Sequence, residues 1–320
     1  MVPFELHFYV YRDVKVALQA LLQSAATIQA QNLEAGKASL FTDNIYFRGH
    51  TDVTHRLLPT RLRTVSTESG PRQRFAVPGG PPGQDPREEY GDWSEEVEGM
   101  RSASKTVANL TDEELRKRDA AEADAIKRAT SISSFAQLDD FEKRAAVRHY
   151  SGAPSSLMDI STSAEVAAFF ATGAGGTAPP KGQIGMLWAI DLNFLGGIFS
   201  FEITDIPGGK KIRMQEMRDE WGDNKKMFED QGIAATNLQL TSVGLPFRRP
   251  TAQQARFFSL TDENENPLDL LTEITWWSII ERRAYACAFI HDGRTYDNPR
   301  HSITQSNLLP ENEELASVFA

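Results

Sequence analysis

Residues 70–87 carry nine glycines or prolines in eighteen positions, with Pro78-Gly79-Gly80-Pro81-Pro82-Gly83 at the centre. Proline fixes φ and withdraws a backbone donor, and glycine loses the most entropy on ordering, so neither helix nor strand survives such spacing. The stretch reads as a flexible loop or lid, of the kind that within a compact domain is functional or disordered. Seven acidic residues between Asp85 and Glu98 extend it as a solvated segment. Regular structure is thereby pushed to either side.

On the N-terminal side, Val14, Leu18, Leu21, Leu22 and Ile28 repeat with helical spacing and predict a helix from Val14 to about Ala35, before Gly36. Asn44-Ile45-Tyr46-Phe47-Arg48-Gly49 reads as a strand, and Leu57-Leu58-Pro59 leads into the break. On the other side, Thr111-Asp112-Glu113-Glu114 is a capping-box pattern that starts a polar helix running to about Arg128. A second helix is predicted from about Phe135 to His149, with Phe135, Leu138, Phe141 and Ala145 on one face. Thr162-Ser163-Ala164-Glu165 begins a third, which turns Val166, Phe169 and Phe170 inward. Gly173 to Gly182 reads as a turn region. Strands are predicted at Ile184–Asp191, Ile198–Ile203, Gln239–Val243, Ala255–Leu260 and Tyr285–Ile290, with a charged helix between Lys210 and Gln231. Helices come early and strands dominate late, and no repeat is visible. That order favours an α+β fold with mixed sheets over a regular βαβ series.

Composition narrows the class. Hydrophobic residues at 40% and charged residues at 24% suit a globular chain with a sizeable core, and exclude a disordered, collagen-like or coiled-coil protein. No run approaches eighteen apolar residues, and Met1-Val2-Pro3-Phe4-Glu5 shows no signal peptide. A lone cysteine, Cys287, cannot form an internal disulfide and suits a reducing compartment, so the expectation is a soluble cytoplasmic protein with no membrane partner. The net charge of −10 opposes nonspecific nucleic-acid binding, yet leaves room for a local basic pocket. Arg48, Arg56, Arg61, Arg63, Arg72 and Arg74 cluster in sequence, as do Arg248, Arg249 and Arg256. A solvated face is the bland reading of either group.

Three separated pieces could carry chemistry. Tyr46-Phe47-Arg48-Gly49 ends an aromatic strand on an arginine, followed by a glycine that lets backbone approach a ligand, a pairing suited to gripping phosphate. Arg148-His149-Tyr150 leads through Pro154 to Leu157-Met158-Asp159-Ile160-Ser161-Thr162-Ser163, where small hydroxyls at a strand-to-helix junction point into a cleft or merely cap the helix. Arg249-Pro250-Thr251-Ala252-Gln253-Gln254 sets paired glutamines before a strand, as ligand contacts or surface residues. His149 is an acid-base candidate or a satisfied core histidine. The histidines at positions 7, 50, 55, 149, 291 and 301 include no i, i+4 pair, so no metal site is expected. Cys287 reads as buried and inert, and Trp276-Trp277 as core or an interface anchor. No dinucleotide-binding, P-loop or nucleophile-elbow motif is present.

The combined blocks resemble the FRG domain family. Phe47-Arg48-Gly49 matches the motif that names it, and Leu57-Leu58-Pro59-Thr60-Arg61-Leu62-Arg63 matches the segment that follows. His149-Tyr150, Pro154, Leu157, Asp159 and the helix through Ala171 match the third block, and Arg249, Ala252, Gln253, Gln254 and Phe257 the last. Ser156 stands where the family has arginine, Ile160 where it has tryptophan, and Ala255 where it has glycine. The resemblance implies one FRG-type domain over 1–320. An insertion at 64–134 holds the 70–87 loop and a polar helix, and 265–320 forms a C-terminal extension.

A more distant similarity links the arginine strand and Ser161-Thr162-Ser163 to arginine-type ADP-ribosyltransferases. It implies an ADP-ribosyltransferase-like fold with NAD as substrate, and a toxin-like or defence effector acting on a protein acceptor. Arg48, Gln253 and Gln254 become the candidate catalytic residues. Arg48, Gly49, His149, Tyr150, Asp159, Ser161, Thr162 and Ser163 become the candidates for holding the nucleotide. The last block offers glutamines where those enzymes place a catalytic glutamate; Glu263, Glu265 and Glu281 lie further along. The alternative is a non-catalytic module that binds a nucleotide or a protein. A third option, an enzyme acting on nucleic acid through the arginine clusters, runs against the net charge.

Overall fold

The structure, a computed structural model, describes residues 10–34, 45–53, 55–63, 111–173, 178–245, 247–309 and 314–319. The Gly/Pro run at 70–87 and its acidic continuation lie outside the described residues. Among the described residues the backbone is a mixed α+β arrangement around one nine-stranded sheet. The strands are β1 (Val10–Tyr11), β2 (Ile45–His50), β3 (Met158–Ser161), β4 (Ile184–Asp191), β5 (Phe199–Ile206), β6 (Gly209–Met217), β7 (Leu238–Val243), β8 (Ala255–Asp262) and β9 (Tyr285–Ile290). Their order across the sheet is β1-β9-β4-β2-β3-β8-β7-β6-β5. Neighbours run antiparallel except β1 and β9, which are parallel.

Alternation along β2 decides what each face buries. Ile45 and Phe47 join Leu187, Ala189, Cys287 and Phe289 on one face, under helices α1 (Val14–Glu34) and α4 (Ala164–Ala171). Tyr46 joins Met158, Ile160, Trp188 and Ile190 on the other, against α6 (Leu270–Arg283) with its buried Trp276 and Trp277. A third cluster packs α2 (Asp112–Ala129) and α3 (Asp140–Ser151) around Phe135, Leu157 and Phe257. A further helix, α5 (Gly222–Asp230), buries Phe228 beside Trp276. No helix among the described residues is long and apolar enough to cross a membrane.

Most elements sit where the pattern puts them, and three corrections have physical reasons. Residues 209–217 form β6 instead of the first part of a helix. Ile212 and Met214 are buried while Arg213 is exposed, a period of two, and Gly208 at φ +73° turns the chain tightly out of β5. The helix expected from Phe135 to His149 is two, Ser133–Ala136 and α3, because Asp139 and Glu142 form a reciprocal capping box that starts a new helix. Gly152, left-handed at φ +66°, ends α3. At α4 the cap is Ser163, whose hydroxyl accepts from the Val166 N–H, and Thr162 stays outside. The capping box at Thr111 forms as expected.

Gly49 fixes how closely α4 approaches β2. A Cβ there would lie 1.9 Å from the Ala167 carbonyl oxygen and 2.8 Å from the Ala171 Cβ. The close approach that the glycine permits is therefore by helix backbone, and α4 fills the space beside it. Gly49→Ala should destabilise the fold by about 3 kcal/mol, since overpacking against backbone cannot be relieved by a rotamer change. Urea unfolding of the two proteins measures this, and an unchanged midpoint would contradict the packing described.

Candidate functional site

The site begins where β2 and β3 part. The two strands share one register pair, Phe47 with Ser161, and at the next position inward a side chain replaces the ladder. Arg48, 8% exposed as a residue, donates from Nη1 to the Asp159 carbonyl oxygen and, at 2.6 Å, to Asp159 Oδ1. Arg148, in the last turn of α3, reaches the same Oδ1 at 3.2 Å. One carboxylate thus serves two guanidinium groups.

The rest of the cluster is built on His50, which shares the Arg48 face of β2. Arg48 Nε donates to His50 Nε2 at 3.0 Å, and Arg63 Nη2 lies 3.2 Å from the same nitrogen. A nitrogen facing two guanidinium donors must accept, so the proton belongs on Nδ1, which donates to the His55 carbonyl at 3.0 Å. The Trp188 indole N–H, 3.2 Å from that protonated Nδ1, is then a close approach without a bond. Arg63 also donates from Nε to the Leu58 carbonyl at 2.9 Å.

Charge is unbalanced here. Arg48 and Arg148 touch one carboxylate, Asp159, while Arg63 reaches the group through His50. Glu281, the other acid that acts on Arg63, is already paired with Arg56 at 2.6 Å. Burial disfavours the Asp159 carboxylate, but Arg148 and then Arg48 outweigh burial and hold it well below the usual carboxylate range. Burial, followed by Arg63 and Arg48, pushes His50 well below its ordinary value, so it adds no charge. His55 moves down for the same first two reasons, burial and Arg63. Burial also lowers Arg63, and then Arg48 and Arg148 do. A guanidinium stays protonated in proteins, so Arg63 remains a buried cation beside two others. Among the described residues the cluster carries about two excess positive charges, with Arg48 and Arg63 meeting at His50 and Arg48 and Arg148 at Asp159.

The remaining candidates divide. His149 lies beside Arg148, with ring centroids 5.6 Å from both Tyr150 and Phe257, and its buried Nε2 finds no hydrogen-bond partner among the described residues. Burial lowers its pKa to about 3. Tyr150 is buried, with the Arg249 guanidinium 5.3 Å over its ring. At the other end of β3 a second cluster forms: Ser161 Oγ donates to the Gln253 carbonyl at 2.7 Å, and Thr162 Oγ1 to Gln254 Oε1 at 3.1 Å. Gln253 is buried, its amide donating to the Leu308 carbonyl at 2.6 Å. Gln254 is exposed at φ +47°. Ser161 is the register partner of Phe47, and its hydroxyl goes to Gln253 and not to the Arg48 guanidinium. The structure therefore brings together Arg48, His149 and Asp159. It groups Ser161, Thr162, Gln253 and Gln254 elsewhere, fastening β3 to β8, and leaves Ser163 as a helix cap. Glu263 and Glu265 follow the far end of β8, and Glu281 also accepts from the Leu57 N–H at 2.7 Å. No group of metal-ligating side chains occurs among the described residues, and Cys287 is fully buried with its thiol pushed up to about 12, first by burial.

The FRG domain family model matches residues 43–177. This chain carries an FRG domain. No match was found among curated proteins or solved structures. The FRG span contains the whole arginine cluster, Arg48, His50, Arg63, Arg148, His149 and Asp159, together with Ser161-Thr162-Ser163, and ends before Gln253. Three of these, His50, Arg63 and Arg148, were not singled out as site residues by sequence reasoning. The available signal was the crowding of arginines after Arg48.

His149 gives a pH test. Its folded pKa of about 3 lies below the usual 6.5, so the unfolded chain binds the extra proton between those values and stability falls as pH drops below 6.5. Glu273, raised to about 7 by burial, acts with the opposite sign, so a difference measurement is needed. Wild type should lose about 2 kcal/mol relative to His149→Phe between pH 7.5 and pH 5. Denaturant unfolding at both pH values measures it, and a pH-independent difference would contradict the buried neutral imidazole.

Proposed function

We propose that this FRG-domain protein binds a nucleotide of the NAD class, with the phosphates at the Arg48–Arg63–Arg148 cluster. The observation that carries the reading is three converging guanidinium groups against one touching carboxylate, beside histidines kept neutral. A site with about two excess positive charges is matched by a diphosphate, and guanidinium forks suit phosphate oxygens. Asp159 then acts as an internal counter-ion that holds Arg48 and Arg148 in place. The likeness of the arginine strand and Ser161-Thr162-Ser163 to ADP-ribosyltransferases supports NAD over other nucleotides.

Binding is the leading reading and cleavage of NAD the finer one. Stabilising an oxocarbenium ion calls for a negative charge aimed at the sugar. At the last block Gln253 spends its amide on Leu308, and Gln254 accepts from Thr162. A glutamine offers a dipole only.

Calorimetric titration with NAD tests the reading. Arg48→Ala would remove the bonds by which β2 holds the Asp159 carbonyl and carboxylate and would weaken the fold itself, so Arg48→Lys is the better probe. Wild type should bind, and Arg48→Lys should weaken binding by about tenfold, because a point charge cannot reach Asp159, His50 and phosphate together. Equal affinity in both proteins would overturn the assignment. Nicotinamide release that depends on Arg48 would promote the cleavage reading.

A further inference from the structure

Arg63 enters the cluster from a one-turn 3-10 helix, Thr60–Leu62, of which it is the C-terminal cap. Such a turn is marginal by itself and leaves its last carbonyls without helical partners. Helix α2 supplies them. Arg118 Nη1 donates to the Arg61 carbonyl at 2.6 Å and the Arg63 carbonyl at 2.7 Å, and lies 3.4 Å from that of Thr60. The adjacent Asp119 takes Arg61 Nε at 2.6 Å and Nη2 at 3.2 Å, while Arg61 Nη1 reaches Glu273 on α6 at 3.1 Å. The backbone of Ser155 completes the grip, accepting from the Arg61 N–H and donating to Thr60 Oγ1.

We propose that α2 sets the position of Arg63 in the anion site, with Arg118 as the positioning residue. The brace is needed because Arg63 is held against the like charges of Arg48 and Arg148. A guanidinium in that position moves outward when its backbone is freed, and it takes part of the phosphate site with it. Among the described residues the Arg118 hydrogen bonds go to the carbonyl oxygens of Thr60, Arg61 and Arg63, so its influence on an anion passes through Arg63. This inference rests on the reading of the arginine cluster as a phosphate site, and it names a control of that site that sits outside the cluster.

The experiment is a double-mutant cycle with inorganic pyrophosphate as the titrant, using wild type, Arg118→Ala, Arg63→Ala and the double variant. Arg118→Ala should weaken pyrophosphate by about tenfold in the wild-type background and have no further effect when Arg63 is already alanine. An equal loss in both backgrounds would overturn the proposal. A second readout needs no ligand. The Arg63 Nε–H, bonded to Leu58, should exchange with solvent faster in Arg118→Ala, and an unchanged rate would also overturn it. Should wild type bind neither pyrophosphate nor NAD, the phosphate-site reading fails, and the exchange measurement still decides whether Arg118 positions Arg63. If Arg118→Ala does not fold, Arg118→Gln, which keeps a neutral donor, should show a smaller loss of the same pattern; additive loss there overturns the proposal.

Discussion

The bond network from Arg48 to Asp159 is the interaction on which the rest of the molecule turns. Strands β2 and β3 share a single register pair in the middle of the sheet, and the Arg48 guanidinium closes the gap beyond it by taking the Asp159 carbonyl and carboxylate. A sheet interrupted at its centre would leave backbone groups unpaired in a dry interior, at a cost comparable to a lost hydrogen bond for each. A charged side chain repairs the ladder here, and the repair brings a cation into the core. The same residue that joins the two halves of the sheet therefore creates the demand for a counter-ion.

That demand is only partly met. Asp159 brings one negative charge to Arg48 and Arg148 together, and Arg63, a hydrogen bond away from His50, touches no carboxylate among the described residues. Buried charges are tolerated when paired, and breaking such pairs costs several kcal/mol, so surplus positive charge is expensive to maintain. The protein meets the cost through bracing: His50 accepts from the arginines, Leu58 anchors Arg63, and α2 locks the turn that carries it. On the proposed reading a bound anion would relieve the surplus, locally and against the chain's net charge of −10.

Much of the fold was legible because its signals are local. The ends of β4 and β9, the start of α1 and the Thr111 capping box follow from period and capping chemistry. The hairpin of β5 and β6 was hidden because Lys210, Lys211 and Arg213 resemble a charged helix until the buried pair Ile212 and Met214 is read with period two. The site was legible in outline, through Arg48, His149 and Asp159. What the sequence withheld was long-range. Nothing local says that Gly49 faces a helix, that Ser161 bonds the Gln253 backbone, or that Arg63 converges with Arg148 across 85 positions. Those placements are set by strand order, and strand order is a property of the whole chain.

The most direct test of uncompensated charge is the melting temperature of the wild-type protein in pyrophosphate and in chloride at matched ionic strength. A ligand that binds only the folded state stabilises it by mass action, so the melting temperature should rise and saturate with pyrophosphate while chloride leaves it unchanged. Identical melting temperatures in the two salts at millimolar pyrophosphate would mean that the arginine cluster is satisfied within the fold, and would contradict the account.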